Sequence, residues 1–140
     1  MLPLRLVLDT NVVVSAALKP KGLERAVFTI AITRPARLYL TQPILAEYAE
    51  VLSRRELGIR KGLRLQLLQL IRNRGRIVAP SHRLHVTRDP DDNIFIECAD
   101  ASRADYLITG NLRHFPAFWK QTKVISSRQF ITLAAPHVLG

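Results

Sequence analysis

The chain has 140 residues, 48% hydrophobic and 23% charged, a balance that excludes a disordered chain and suffices for one core without disulfide or metal staples. Its single cysteine, Cys98, excludes an intramolecular disulfide and a cysteine-rich zinc site, and points to a reducing, cytoplasmic setting. Lys+Arg 21 against Asp+Glu 11 gives a formal charge of +10, which favours a polyanion partner, nucleic acid above all, over a surface kept basic for solubility or for an acidic protein.

In chain order, "LRLVLD" (Leu4 to Asp9) is a nearly continuous apolar run of strand length, the pattern of a strand covered on both faces. "VVVSAALK" resembles a secretory leader, but Asp9 and Asn11 interrupt the apolar stretch and no segment approaches membrane-spanning length. A helix is expected from about Asn11 and another over 23–32. "ARLYLT" (Ala36 to Thr41) alternates like a strand, and Thr41 with Pro43 opens the helix "QPILAEYAEVLSR". "ELGIRKG" reads as a break. "LRLQLLQLIRNRG" is an amphipathic helix ended by Gly75, and "RIVAP" a short strand.

After a polar connection, "RDPDDNIFIECADASRA" carries a strong helix start. "DYLITG" and "KVIS" are strands, and "SRQFITLAA" a last helix begun by Ser126 or Ser127. Short strands alternating with helices imply an α/β layer fold with a mainly parallel sheet, expected to be one domain over residues 1–140.

In such a sheet, ligands bind beyond the carboxyl ends of the strands. The polar residues placed there are Asp9, the Thr109-Gly110-Asn111 stretch, Asp89, Asp91 and Asp92 at a helix start, and Glu47 on the helix after the second strand. Each has a structural reading. Asp9 and Asp89 can be helix caps, and Asp91 and Asp92 suit the positive end of a helix dipole. On the helical wheel, Glu47 falls at the margin of the apolar stripe made by Ile44, Leu45, Tyr48, Val51 and Leu52, while Glu50 faces water. The wheel does not separate Asp91 from Asp92. Carboxylates converging on one edge repel each other unless a cation joins them, and hard oxygen donors select Mg²⁺ or Mn²⁺. A basic protein with an acidic notch has the charge pattern of a metal-dependent nuclease.

The stretches "VLDTNVVVSA", "LAEYAEVL" and "DPDDNIFIECADASRADYLITGN", in that order, resemble the PIN-domain ribonucleases, especially the VapC-like toxins of toxin–antitoxin pairs. The resemblance covers essentially the whole chain. It implies a Rossmann-like, three-layer fold with a five-stranded parallel sheet, a homodimer, a cognate antitoxin, and cleavage of single-stranded RNA with Mg²⁺ or Mn²⁺. By position, Asp9, Glu47 and Asp92 resemble the acidic metal ligands, Asp92 being preferred to Asp91. Asn11 and Thr109 resemble supporting polar residues. Family members commonly end the fourth strand with Thr-x-Asp. Here Asn111 stands in place of that acid, and the alternative is a weak or inactive RNA-binding module.

Arg54, Arg55, Arg60, Lys61 and Arg64 around the helix break, with Arg72, Arg74 and Arg76 beyond it, are as a group where contact with RNA phosphates or with an antitoxin's acidic segment is expected; a solvated face is the plainer reading for each alone. The rings of "RHFPAFW" can stack on bases or pack, and packing is favoured, above all for Phe115. A phosphatase, which also keeps Asp at a strand end, is disfavoured because "DTN" lacks the second aspartate such enzymes use as acid.

Overall fold

The computed structural model describes residues 3–140. The first strand, β1 (Arg5–Leu8), leads into helix α1 (Thr10–Leu18) and then α2 (Leu23–Ala31). Strand β2 (Arg37–Leu40) is followed by α3 (Gln42–Leu52) and α4 (Lys61–Arg74). Next come β3 (Arg76–Ile77), α5 (Pro90–Ser102), β4 (Tyr106–Ile108), β5 (Phe118–Trp119), β6 (Thr122–Ile125) and α6 (Ser127–Ala134).

The strands form one sheet in the order β3-β2-β1-β4-β6-β5, parallel throughout except for the β5–β6 pair. The chain steps outward from β1 through β2 to β3, then crosses back to β4 on the other side of β1. Strand order therefore reverses between β1 and β4, where an open parallel sheet leaves a crevice at its carboxyl edge. The return to β4 runs through α5, which packs on β1, β2 and β4. With right-handed crossovers this puts α5 on one face and the α1–α4 series on the other, with α6 against α2.

Burial explains the central strands. Leu6, Val7 and Leu8 of β1 are fully buried, as are Leu38 and Leu40 of β2 and Leu107 and Ile108 of β4. Such strands read as unbroken apolar runs because both faces are covered. Tyr48 carries the α3 face into this core and donates its hydroxyl to the Leu8 carbonyl at 2.5 Å. Cys98 is fully buried and burial pushes its thiol up to about 12, so it packs as a small apolar side chain and is no nucleophile at neutral pH.

The helix starts follow the sequence closely. The Thr41 hydroxyl accepts from the Ile44 amide at 3.2 Å, and Ser126 forms a capping box with Gln129. Asp89 accepts from the Asp91 amide at 2.9 Å, with Pro90 as the first residue of α5. The expected break at "ELGIRKG" is a short 3-10 turn, Arg55–Leu57, closed by Gly58 at φ 64°.

Two expectations need correction. The sheet has six strands, not five: β5 is a two-residue antiparallel addition at one edge, too short to leave a periodic signature in sequence. "RIVAP" also contributes only Arg76–Ile77 as strand, because it lies at the opposite edge with one neighbour and runs into Pro80, which has no N–H to pair.

Gly75 joins α4 to β3 at close quarters. A Cβ there would meet the Ile71 carbonyl oxygen at 2.6 Å and the Leu40 side chain at 2.8 Å. Gly75→Ala is expected to cost about 1–3 kcal/mol through this overpacking, read as a lower urea midpoint at unchanged slope.

Candidate functional site

Asp9 is the residue that leaves β1. Its amide donates to the Ile108 carbonyl of β4 at 2.9 Å, so the β1–β4 ladder continues to this point before α1 begins. The residue is 6% exposed, and both of its carboxylate oxygens accept hydrogen bonds. Oδ1 accepts from the Thr10 amide at 2.8 Å; Oδ2 accepts from the Thr109 hydroxyl at 2.7 Å and from Asn11 Nδ2 at 3.2 Å. Asp9 is thus a helix cap and also a buried carboxylate oriented by donors from both strands.

Asn11 and Thr109 each work in two directions. Asn11 Oδ1 accepts from the Gly110 amide at 3.0 Å, tying α1 to the turn after β4. Thr109, fully buried, accepts from the Asn111 amide at 2.9 Å while donating to Asp9. The side chain of Asn111 is exposed at this edge.

Glu47 is half-buried on α3, as the wheel requires, and Glu50 is exposed and paired with Arg54 at 3.0 Å. The Thr10 hydroxyl donates to Glu47 Oε2. Thr10 therefore links Asp9 through its backbone to Glu47 through its side chain. Nothing in the sequence marked it beyond its place between Asp9 and Asn11.

At the start of α5 the two adjacent acids separate. Asp91 is exposed, whereas the Asp92 side chain keeps only 16% of its surface. His114 Nδ1 stands 3.4 Å from Asp92 Oδ2. That spacing is within ion-pair range but outside hydrogen-bonding geometry, so Oδ2 is buried with no hydrogen-bond partner. The next residue, Asn93, accepts from the Val86 and Thr87 amides at 3.0 and 2.8 Å and pins the preceding loop over α5.

The electrostatics of the three acids agree. Burial raises the carboxyl of Asp9 above its usual range, with hydrogen bonds from Thr109 and Thr10 pulling the other way. Glu47 is raised by burial and, with the Thr10 bond opposing, by the charges of Asp9, Asp91 and Asp92. Asp92 is raised by burial, then by Asp9 and Asp89, with His114 opposing. The three acids share one field without touching. Among the described residues, no three His, Cys, Asp or Glu side chains stand close enough to cage an ion by themselves.

This donor set fits a hard divalent cation of the Mg²⁺ kind. Such an ion keeps several waters and takes one or two carboxylates plus substrate phosphates rather than a closed protein cage. The buried Oδ2 of Asp92, with the His114 ring as its ion-pair partner at 3.4 Å and no well-formed hydrogen bond, keeps acceptor capacity for a cation.

Depressions flank the acids on both sides. One, of about 610 Å³, runs past Asp92 between Arg88, Arg113 and His114. Another, of about 400 Å³, lies beside Asn11, Thr109 and Asn111 and reaches Arg128. Arg88 and Arg113 open two stretches that the sequence singles out, "RDPDDN" and "RHFPAFW", but the signal there is a helix start and a run of rings, which assigns neither arginine a role. Phe115 is 8% exposed and packs in the core, as expected, while Phe118 is 64% exposed on β5. Of the basic group at the helix break, Arg54, Arg55, Arg60 and Lys61 are exposed. Arg64 is half-buried, with its Nε buried and unpartnered.

Desolvated acids at the carboxyl edge of a parallel α/β sheet, beside its switch point, define a class of α/β proteins, and sequence comparison assigns the family. The PIN-domain family matches residues 5–113, and the chain belongs to that family. PIN domains are typically metal-dependent nucleases. The chain is 32% identical over 112 residues to the uncharacterized protein MJ1680 of Methanocaldococcus jannaschii, covering 77% of this chain and 71% of that one. Its fold is similar to that of a chain in the crystal structure of VapBC2 from Rickettsia felis bound to a DNA fragment from their promoter. The TM-score is 0.58 at 15% identity, over 88% of this chain and 98% of that chain.

The raised carboxyls carry a pH consequence. An acid whose folded-state pKa lies above its unfolded value binds protons more tightly when folded, so it destabilises the folded state above that range and ceases to do so as pH falls. Asp92→Asn is therefore expected to raise the Tm of the metal-free protein at pH 7. The gain should shrink towards pH 4, as thermal scans of both proteins across that range would register.

Proposed function

We propose that the chain, folded as one PIN unit, is a Mg²⁺- or Mn²⁺-dependent endoribonuclease acting on single-stranded RNA. The observation that carries this reading is the group of Asp9, Glu47 and Asp92. These are three desolvated acids with overlapping fields at the crevice between β1 and β4, one of them with a buried, unpartnered oxygen.

In this reading Asp9, Glu47 and Asp92 hold the cation, which supplies an activated water and a charge against the scissile phosphate. Asn11 and Thr109 fix the Asp9 carboxylate, and Thr10 fixes Glu47. Arg88 and Arg113 line the groove past Asp92, where guanidinium groups suit the phosphates on one side of the cut. Arg55, Arg60, Lys61 and Arg64 add a basic approach from the α3–α4 side; Arg54 is partly occupied by Glu50.

The biological setting proposed is a toxin held by a cognate antitoxin in the cytoplasm, with a homodimer as the working form. Support comes from the fold shared with the VapBC2 chain, together with the absence, among the described residues, of a helix long and apolar enough to cross a membrane.

A second reading, an RNA-binding module without turnover, is favoured by one observation: the exposed group at residue 111 is an amide, so the edge lacks a fourth negative charge. The two readings separate in one assay of single-stranded RNA with Mn²⁺. Active protein should lose on the order of 100-fold or more in rate in Asp9→Asn and Asp92→Asn. Asn111→Asp should lower the Mn²⁺ concentration needed for half-maximal rate. Salt-sensitive RNA binding that survives chelation, with no cleavage by wild type, selects the module; cleavage indifferent to both aspartates would sink the nuclease.

A further inference from the structure

A second charged feature lies at the other end of the sheet. Arg34, Arg37, Arg74 and Arg76 surround a cleft of about 280 Å³, floored by Ala36 and Gly75. The fold brings them together from three segments. Arg37 opens β2, Arg76 opens β3, and Arg74 ends α4, which runs back along the sheet. Arg34 comes from the turn after α2. The glycine at position 75 allows the α4–β3 turn to close onto Leu40, and that closure sets Arg74 and Arg76 beside Arg37.

All four arginines are exposed. Among the described residues, the acid–base pairs involve Arg54, His114 and Lys120. The arginine side chains that donate hydrogen bonds within the protein are Arg5, Arg25 and Arg54. The acid on this pole, Asp105, is engaged by the Arg5 amide at 2.7 Å. The carboxyl ends of α2 and α4 point this way and offset part of the repulsion, each by roughly 0.3–1 kcal/mol. Two helix ends do not account for four guanidinium groups in one cleft.

We infer that this cleft binds the sugar-phosphate backbone of a single RNA strand at a second site, remote from the acidic edge. Planar guanidinium forks match phosphate oxygens. The cleft has room for one or two phosphates and no aromatic lining to stack a base, so recognition there is of backbone and not of sequence. An acidic peptide fits less well, because protein interfaces rest on buried aromatic or large apolar anchors and the lining offers only Ile32 and Ala36. Occupancy of this cleft does not depend on the nuclease reading: binding without cleavage satisfies it equally.

The test is fluorescence anisotropy of the full chain with a labelled, unstructured single-stranded RNA in EDTA, titrated across salt concentrations. Each neutralised phosphate contributes about 0.7 to the slope of log affinity against log salt for a single strand. The quartet Arg34→Gln, Arg37→Gln, Arg74→Gln, Arg76→Gln should lower that slope by roughly 0.7–1.4, the share of one or two phosphates, and weaken low-salt affinity severalfold. A control quartet, with Lys19, Lys21, Arg103 and Lys123 changed to Gln, removes the same charge from outside the cleft and should move the slope by less than about 0.3. The corresponding Arg→Lys quartet should keep most of the slope, which verifies that the cleft tolerates substitution.

Equal losses in the two Gln quartets would overturn the site, since net charge alone would then explain binding. So would a polyglutamate peptide that competes through the arginine quartet better than RNA, or duplex DNA that loses as much slope as the single strand. Binding is measured in EDTA, where metal-dependent cleavage cannot occur, so a failed cleavage assay and a failed cleft are read separately.

Discussion

The candidate site depends on the seam between β1 and β4. Residues 9 and 109 are a hundred positions apart, yet the Asp9 amide completes the ladder to Ile108 and the Thr109 hydroxyl reaches Asp9 Oδ2. Because Leu6, Val7 and Leu8 are fully buried, the residue that follows them is carried to the rim of the water-excluded interior. One position earlier, a carboxylate would sit in the core without donors. One position later, at Thr10, the side chain turns to Glu47 and away from the Thr109 hydroxyl that orients Asp9. Only at the rim can an acid be both desolvated and held by donors, and this is what a buried carboxylate requires.

That placement leaves like charges close together, and the fold offsets the cost in several ways. Asp9 stands at the amino end of α1 and Asp92 in the first turn of α5, so two helix dipoles present their positive ends to the acids. His114 adds a positive contribution at Asp92 when protonated, and Thr10 and Thr109 supply hydroxyl donors. These terms do not cancel the burial cost, since all three carboxyls stay raised. The imbalance leaves a negative edge that positive charge from outside would stabilise.

Much of this was legible in the sequence because local chemistry and tertiary structure agree. The apolar run before Asp9, the Thr41 cap, and the Asp89-Pro90 start each specify an element boundary without long-range help. Glu47 was separable from Glu50 by the wheel because α3 has a well-marked apolar stripe. Asp91 and Asp92 were not, because α5 is buried on most sides; only the fold shows that Asp91 faces solvent and Asp92 the crevice. Thr10, Arg88 and Arg113 were missed for a related reason. Their roles arise from where α3, α5 and the turn after β4 meet, and no period in the chain encodes a meeting of segments. Strand β5 was missed because two residues carry no alternation.

The two charged poles behave as separate systems. His114 opposes the raised carboxyls of Asp9 and Asp92, and it stands at the acidic edge, not in the far cleft. Distance separates the poles. Strand β2 alone spans about 13 Å at ~3.3 Å per residue, beyond a Debye length of about 8 Å at physiological salt. With a formal charge of +10 and only three acid–base pairs among the described residues, most of the basic groups are not consumed inside the protein. A negative rim can therefore attract a metal ion while the surrounding surface attracts a polyanion, and neither neutralises the other. Had the arginines been packed around the acids as ion pairs, both attractions would have been spent within the fold.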